Sequence, residues 1–169
     1  LFDGVAAKGA TGNGAAADLA ALMGWPVVLV LDASGQAQTA AAVAQGLARF
    51  RPGVTVAGVI LNRIASPRHE ALVRAGMAEA GLPVLGTLPK QAAIAMPERH
   101  LGLVQAEEQP ALQALIADAA RLMREGVDLD ALVAAANSTA TPSSTPRITP
   151  PGQRIALARD AAFSFLYPH

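Results

Sequence analysis

The chain has 169 residues, of which 52% are hydrophobic and 15% are charged, and its 13 basic and 13 acidic residues cancel. This composition excludes global disorder, and the zero net charge argues against general binding to nucleic acid or to an anionic membrane surface. The sequence has no cysteine, which excludes disulfides, thiolate metal sites and a cysteine nucleophile within these residues.

The first predicted elements are a loop, a helix and a buried strand. Residues 8–14 are rich in glycine and predict a loop, and residues 15–23 are rich in alanine and leucine, as expected for a helix that Gly24 ends. Residues 27–31 are a continuous apolar run, which is typical of a strand buried on both faces of a parallel sheet. No apolar run reaches the roughly 18 residues of a membrane-spanning helix, so we expect no membrane segment.

The order of strand and helix then recurs along the chain. The further predicted elements are a helix over residues 39–50, a strand over 54–61, a helix over 66–80, a strand over 84–88 and a helix over 109–124. Strands that alternate with such helices predict an α/β fold, a doubly wound parallel sheet with helices on both faces. Ligands of these sheets bind beyond the carboxyl ends of the strands. In this sequence those positions hold Asp3, Asp32 to Ser34, Asn62, Arg63, Pro89 and Lys90.

The composition changes after residue 136. Most of residues 137–152 are Ser, Thr, Pro and Ala with little to bury, which predicts a linker. Residues 154–160 then predict the first strand of a second domain. We therefore expect one domain over residues 1–136, a linker over 137–152 and the beginning of another domain over 153–169.

The residues alone leave the role of the polar positions open. Asp3, Asp32 and Asn62 have the residue types of helix N-caps and turns as well as of ligands. His100 stands alone, which favours a packing or loop role, and no set of nucleophile, histidine and carboxylate and no metal-ligand cluster can be assembled. The glycines of residues 8–14 lack the context of a phosphate-binding loop, so a flexible loop is the favoured interpretation.

Several strings of the sequence resemble one enzyme family. They are Leu-Phe-Asp-Gly at residues 1–4, the stretch over 24–35, Gly-Val-Ile-Leu-Asn-Arg at 58–63, and the stretch over 82–103, which ends in Pro-Glu-Arg-His-Leu-Gly-Leu. Together, in order and over nearly the whole chain, they resemble cobyrinic acid a,c-diamide synthase. The final heptapeptide is the most specific of them, because neither the fold nor P-loop proteins in general require it. Residues 154–169 resemble the start of that family's second domain.

The resemblance implies a P-loop NTPase-like ATP-binding domain, similar to dethiobiotin synthetase, followed by a class I glutaminase-like domain. Residues 1–136 would be the carboxyl-terminal part of the first, and residues 153–169 the beginning of the second. The family's Walker A lysine and glutaminase cysteine would then lie outside the chain, so we expect an internal fragment that is inactive alone. The chain departs from the family at Gly14-Ala15-Ala16, where the family has Gly-Ser-Thr.

The implied activity is that of a ligase of cobalamin biosynthesis that forms C–N bonds with glutamine as the amido donor. ATP would phosphorylate the a and c carboxylates of a corrinoid, cobyrinate or hydrogenobyrinate, and ammonia would displace phosphate from the acyl phosphate. The resemblance further implies magnesium as a cofactor, a cytoplasmic location and a homodimer as a candidate assembly. A related nickel-sirohydrochlorin substrate also fits, and the sequence does not separate these substrates.

The resemblance also implies roles for particular residues. Asp3 is the predicted catalytic residue, placed near magnesium or near the substrate carboxylate. The residues predicted to bind ATP are Asn62, Arg63, Leu88, Pro89 and Lys90. Among them Asn62 would contact the adenine edge, and Leu88 to Lys90 would add backbone contacts to the same base. The predicted substrate-binding residues are Asp32, Ser34, Arg99 and His100.

Two other classes of protein stay open at this point. A nucleotide-switch ATPase of the partition or septum-site type shares the sheet and an asparagine at the adenine position. The proline-rich linker and the lack of a terminal basic amphipathic helix argue against it. A nucleotide-free interaction module is the third alternative.

Overall fold

The computed structural model describes residues 1–7, 9, 12–91, 94, 110–136, 149, 152–160 and 163. Within them the elements are α1 Ala16–Met23, β1 Val27–Asp32, α2 Gln38–Arg49, β2 Val56–Ile64, α3 Pro67–Glu79, β3 Val84–Pro89, α4 Leu112–Gly126 and α5 Leu129–Ala135. None of the described helices is long and apolar enough to cross a membrane.

The three described strands form one sheet in the order β1-β2-β3. Both neighbouring pairs are parallel, with Leu29 beside Val59 in the first pair and Leu61 beside Thr87 in the second. Helix α2 connects β1 to β2 and helix α3 connects β2 to β3, which is the kind of connection that parallel strands require. The predicted α/β fold with parallel strands is therefore confirmed.

Helices α2 and α3 pack against each other and cover one face of this sheet. The largest side chains that are fully buried there are Leu61, Met77, Val59 and Val73. Small buried alanines of α2, such as Ala40 and Ala44, let that helix approach the strands closely. This aliphatic core agrees with the low aromatic content of the sequence, 4% of residues.

On the other face of the sheet, a helix lies over β3 and β1 is exposed. Side chains alternate between faces along a strand, so Asn62 points away from the core that holds Leu61. On that face Asn62 and Leu88 lie opposite α4 across a cavity. Val30 of β1, by contrast, is 65% exposed. In the described part of the chain, helices therefore pack against β3 on both faces, and none covers Val30 of β1.

The outer edge of β3 is covered by the segment that joins α4 to α5. Val127 forms an isolated antiparallel bridge with Gly86, and the Asp128 N–H donates a hydrogen bond of 2.9 Å to the Leu85 carbonyl. A side chain at Gly86 would place its first carbon 2.9 Å from the Gly126 carbonyl oxygen. The absence of a side chain at Gly86 is what lets this segment approach.

Local sequence signals explain where α3 begins. The Ser66 hydroxyl accepts a hydrogen bond of 3.2 Å from the His69 backbone N–H, and Pro67 occupies the first turn, where a missing N–H costs nothing. The His69 ring then joins two loops, since its Nδ1 accepts from the Ala65 N–H at 3.1 Å and its Nε2 lies 2.6 Å from the Gln36 carbonyl oxygen. The turn after β2 is thereby tied to the turn after β1.

Two expectations near the carboxyl terminus need correction. Helix α5 was not predicted, although Asp128 caps it by accepting the Ala131 N–H at 2.9 Å. The strand predicted over residues 154–160 is wrong, because the described residues there form no strand and are exposed. A strand needs a neighbouring strand for its N–H and C=O groups, and none of the described strands pairs with residues 154–160. Most of the predicted linker, residues 137–152, lies outside the described residues.

Candidate functional site

The carboxyl ends of the three strands meet at one edge of the sheet. Asp32 at the end of β1 lies beside Asn62 of β2, and Ile64 of β2 lies beside Pro89 of β3. Two backbone hydrogen bonds of 3.0 Å fix this edge, from the Ala33 N–H to the Asn62 carbonyl and from the Lys90 N–H to the Ile64 carbonyl. The edge therefore gathers polar residues from separate parts of the sequence.

Asn62 and Arg63 form a bulge in β2. The sequence predicted that they follow the strand, but β2 continues to Ile64, and both residues stand opposite the single residue Leu88. Arg63 has φ 59°, the one positive φ among the described non-glycine residues. Its N–H donates a hydrogen bond of 2.9 Å to Oδ1 of Asn62. A left-handed backbone at a residue other than glycine is strained and is frequent at functional sites.

A cavity of about 460 Å³ opens beside this bulge. The residues that line it include all five predicted to bind the nucleotide, namely Asn62, Arg63, Leu88, Pro89 and Lys90. The volume is within the usual range of small-molecule sites, about 300–1,000 Å³. The structure thus brings the five residues together, while their binding of a nucleotide stays a prediction.

The opposite wall of the cavity comes from α4 and was missed by the sequence analysis. Ala119, Leu122 and Met123 line it, together with Gln91 and Ile94 after β3. The signal was present, since Ala119, Leu122 and Met123 follow the three- and four-residue spacing of one helix face. An apolar wall opposite amide and cationic side chains suits a flat heteroaromatic ring with polar edges.

Asp32 has partners for both of its carboxylate oxygens. Oδ1 accepts the Ser34 N–H at 2.9 Å and the Ser34 hydroxyl at 2.5 Å, and Oδ2 lies 3.2 Å from Nη1 of Arg63. The hydroxyl and the N–H of Ser34 hold the pKa of Asp32 below its ordinary value, and the Arg63 charge adds to this. The Asp32 carboxylate is therefore an anion that orients Ser34 and Arg63, and Arg63 lines the cavity.

Asp3 lies in a separate part of the molecule and does not line the cavity. It belongs to an extended segment that is held by the Val5 N–H, which donates to the Asn13 carbonyl at 2.8 Å. The first carbon of a side chain at Gly4 would come within 2.9 Å of the Asn13 backbone, so only glycine fits there. Asp3 itself is exposed, and its carboxylate has no hydrogen-bond partner among the described residues.

Asp18 is a buried charge that the sequence analysis missed. Its Oδ2 accepts the N–H groups of Asn13 at 2.9 Å and Ala15 at 3.1 Å, and its Oδ1 pairs with Arg51. Burial raises the pKa of Asp18, but Arg51 and the two N–H groups outweigh burial and hold it below the ordinary value. An aspartate in the first turn of the predicted helix was the available signal. Asp18 fixes the loop that packs against Gly4.

Two predicted substrate-binding residues, Arg99 and His100, lie outside the described residues. In the part of the chain that the structure covers, no three His, Asp or Glu side chains are grouped as metal ligands would be. Magnesium does not require such a group, because it keeps several waters and often binds one or two carboxylates together with substrate phosphates. The exposed, unpartnered carboxylate of Asp3 fits that kind of site.

Comparison with known proteins gives one family and several relatives. Residues 3–98 match the family described as AAA domain. Hydrogenobyrinate a,c-diamide synthase of Rhodobacter capsulatus is 54% identical over 169 residues, and those of Agrobacterium fabrum and Mesorhizobium japonicum are 50% and 51% identical over 172 residues. Each alignment includes 100% of this chain and 39% of the relative. No solved structure matches.

These relatives confirm the resemblance to the a,c-diamide synthases that the sequence motifs indicated. They do not favour the partition or septum-site type of ATPase. The chain spans about 39% of the length of the curated relatives it matches. A glutaminase-like domain stays a prediction.

Proposed function

The chain belongs to the AAA domain family, and from that premise we propose that it forms the adenine-binding part of an enzyme that amidates a corrinoid at the expense of ATP. The observation that supports this most is the cavity at the carboxyl edge of the sheet, lined by Asn62, Arg63, Leu88, Pro89 and Lys90. These are the residues for which the sequence motifs implied binding of the nucleotide. The names of the relatives support amide formation as the chemistry.

In this proposal Asn62 contacts the polar edge of adenine while α4 contacts its face. An amide offers one donor and one acceptor, which matches the edge of a purine. Leu122 and Met123 supply apolar contact to the ring. Lys90 at the rim adds a positive charge near the site of a negatively charged nucleotide, and its N–H is already used to fix the sheet edge.

Asp3 is the proposed catalytic residue, through contact with magnesium or with the substrate carboxylate. A bound magnesium ion supplies neutralisation of charge on the phosphoryl oxygens. The carboxylate of Asp3 is exposed, so it is free to meet a ligand at the surface. Gly4 and the loop fixed by Asp18 hold the segment that carries it.

The proposed reaction has two steps at each carboxylate. A carboxylate oxygen of the corrinoid attacks the γ-phosphorus of ATP, which releases ADP and leaves an acyl phosphate. Ammonia, released from glutamine or supplied directly, then attacks the carbonyl carbon, expels phosphate and loses a proton to give the amide. Asp32, Ser34, Arg99 and His100 are the proposed contacts for the corrinoid.

The names of the relatives favour the metal-free corrinoid, hydrogenobyrinate, as the substrate. The a and c side chains are the positions that those names give. A following glutaminase-like domain, a homodimer and a cytoplasmic location complete the proposal.

A chimera tests this proposal directly. This chain would replace the matching 39% of the Rhodobacter capsulatus relative, to which it is 54% identical. We expect the chimera to convert hydrogenobyrinate to its diamide with ATP and glutamine, as measured by chromatography and mass spectrometry. The 169-residue chain alone should form no amide with either ammonia or glutamine.

Two outcomes would reject the proposal. A folded chimera that hydrolyses ATP without forming amide would favour the nucleotide-switch ATPase. Amide formation that persists unchanged after Asn62→Ala and after Asp3→Asn would reject the site. Gln45→Ala on α2 and Asp130→Asn on α5 are matched controls, because neither residue lines the cavity.

A further inference from the structure

The bulge in β2 gives the Asn62 side chain a defined direction. The Arg63 N–H lies 2.9 Å from one end of the Asn62 amide. A backbone N–H only donates, so the atom that it meets is the amide oxygen and not the amide nitrogen. The position of Oδ1 also fixes the position of Nδ2 on the opposite side of the same planar group.

Because this hydrogen bond fixes the Asn62 amide, we infer that Arg63, through its left-handed backbone, selects adenine over 6-oxopurines in the cavity. The inference rests on the proposed nucleotide site and adds a specificity-determining residue to it. Arg63 adopts φ 59°, and the register of β2 on β3 shifts between Leu61 and Ile64, the interval that contains it. The bulge is what turns the Arg63 N–H towards the side chain before it.

The two kinds of purine present opposite edges to such an amide. Adenine carries a donor at N6 and an acceptor at N1, whereas hypoxanthine and guanine carry an acceptor at O6 and a donor at N1. An amide that rotates freely by half a turn pairs equally well with both orders. An amide held in one orientation pairs with one order only, so holding the amide converts a tolerant contact into a selective one.

The free hydrogen-bonding groups of Asn62 suit this role. Oδ1 has two lone pairs, of which the Arg63 N–H takes one, so the other is left for N6 of adenine. Nδ2 of Asn62 has no hydrogen-bond partner among the described residues and is left to donate to N1. Asn62 lines the cavity, so these groups are available to a ligand there.

The Arg63 side chain is a weaker candidate for the same role. Its Nη1 lies 3.2 Å from Oδ2 of Asp32, and the two side chains are 60% and 52% exposed. Water and salt screen charges at such exposure. The guanidinium therefore contributes to affinity through its charge, while the backbone N–H determines which base fits.

Binding of nucleosides to the 169-residue chain tests the inference, since nucleosides carry the base without the phosphates. Adenosine and inosine would be titrated in separate experiments, with binding followed by NMR chemical shifts, which report weak affinities. Inosine carries the 6-oxo edge without the 2-amino group of guanosine. We expect the wild-type chain to bind adenosine about tenfold more tightly than inosine.

Two variants separate the Arg63 backbone from its side chain. Arg63→Gly and Arg63→Ile both remove the guanidinium, but glycine adopts the left-handed conformation freely and a β-branched residue resists it. We expect Arg63→Gly to weaken the binding of adenosine and of inosine by the same factor, so that the ratio of their dissociation constants stays near tenfold. We expect Arg63→Ile to lower the ratio to about twofold or less, through weaker adenosine binding.

The outcomes distinguish this inference from the proposed function. A wild-type chain that binds neither nucleoside overturns the nucleotide site and this inference together. The inference is overturned if Arg63→Ile keeps the preference for adenosine over inosine, or if Arg63→Gly loses that preference. Either result leaves the proposed nucleotide site unchanged. If the NMR spectrum shows that Arg63→Ile is unfolded, Arg63→Ala replaces it, because alanine also disfavours the left-handed backbone.

Discussion

The cavity at the carboxyl edge of β2 and β3 and the segment around Asp3 and Asp18 treat polar side chains in opposite ways. At the cavity, Asn62 and Lys90 line an open space of about 460 Å³. Near the amino terminus, Asp18 is buried and each of its oxygens is used, by Arg51 and by two backbone N–H groups. The difference teaches that polar side chains near the ends of strands and helices serve two purposes in this molecule, since those at the cavity are left for a ligand and Asp18 is used to hold a loop.

The largest expected effect concerns Asp3, which tests whether the amino-terminal segment takes part in chemistry. In the chimera with the Rhodobacter capsulatus relative, Asp3→Asn should lower turnover about a hundredfold, because it removes a charge that acts mainly in the transition state. The Michaelis constant for ATP should change by less than about twofold. Steady-state kinetics measure both values. Turnover equal to that of Asp130→Asn would show that Asp3 only shapes a turn.

Asp18→Asn should cause the largest loss of stability, because it leaves Arg51 facing a neutral group and weakens two bonds to the loop over residues 12–15. We expect the melting temperature of the chain to fall by roughly 10 °C. Asp118→Asn is the control, since its pair with Arg121 is about half exposed. Equal melting temperatures for the two variants would contradict a structural role for Asp18.

Asn62→Ala should have the opposite kinetic signature to Asp3→Asn. The hydrogen bonds of Asn62 to adenine would be equally strong in the ground state and the transition state, so their loss should raise the Michaelis constant for ATP about tenfold. Turnover at saturating ATP should stay within about twofold of the wild-type chimera. Discrimination against GTP should also weaken. If turnover falls and the Michaelis constant does not change, the adenine assignment is wrong.

Acidification should remove the contribution of Asp18 to the stability of the chain. The pKa of Asp18 is held below its ordinary value of 3.8, so its contribution is present above that value and is lost as the pH falls towards the lowered pKa. The stability difference between the wild-type chain and Asp18→Asn should therefore shrink below about pH 4. Thermal melting at pH 7, 4 and 3 measures it. A difference that grows on acidification would reverse the sign of this argument.

The smallest expected effect lies outside both regions. Ser66→Ala removes the side-chain acceptor at the start of α3 and should cost about 1 kcal/mol of the free energy of unfolding. In the chimera it should leave the Michaelis constant for ATP unchanged, because Ser66 does not line the cavity. Chemical denaturation and steady-state kinetics provide the two values. A clear rise in the Michaelis constant would extend the site to this helix end.

Local patterns predicted the elements well where one feature of the sequence was sufficient. The apolar run before Asp32 indicates β1, and the Ser66-Pro67 pair indicates the start of α3. The gathering of Asn62 and Lys90 at one edge follows from parallel strands, whose carboxyl ends meet. These features depend on residues that are close in sequence or on a rule of topology.

Other features depend on tertiary contacts that no local pattern contains. The bulge at Arg63 needs the register of β2 on β3, and the cavity wall needs the position of α4 across the sheet. The pair of Asp18 and Arg51 joins residues 33 positions apart. The strand expected at residues 154–160 failed because an apolar pattern does not provide a partner strand.

The segment that crosses the outer edge of β3 has a consequence for association between molecules. An open strand edge is a template on which another chain can add a strand, and long apolar edges promote aggregation. The bridge between Gly86 and Val127 and the bond from Asp128 to Leu85 use part of that edge. That part of the β3 edge is therefore closed to a strand from another molecule.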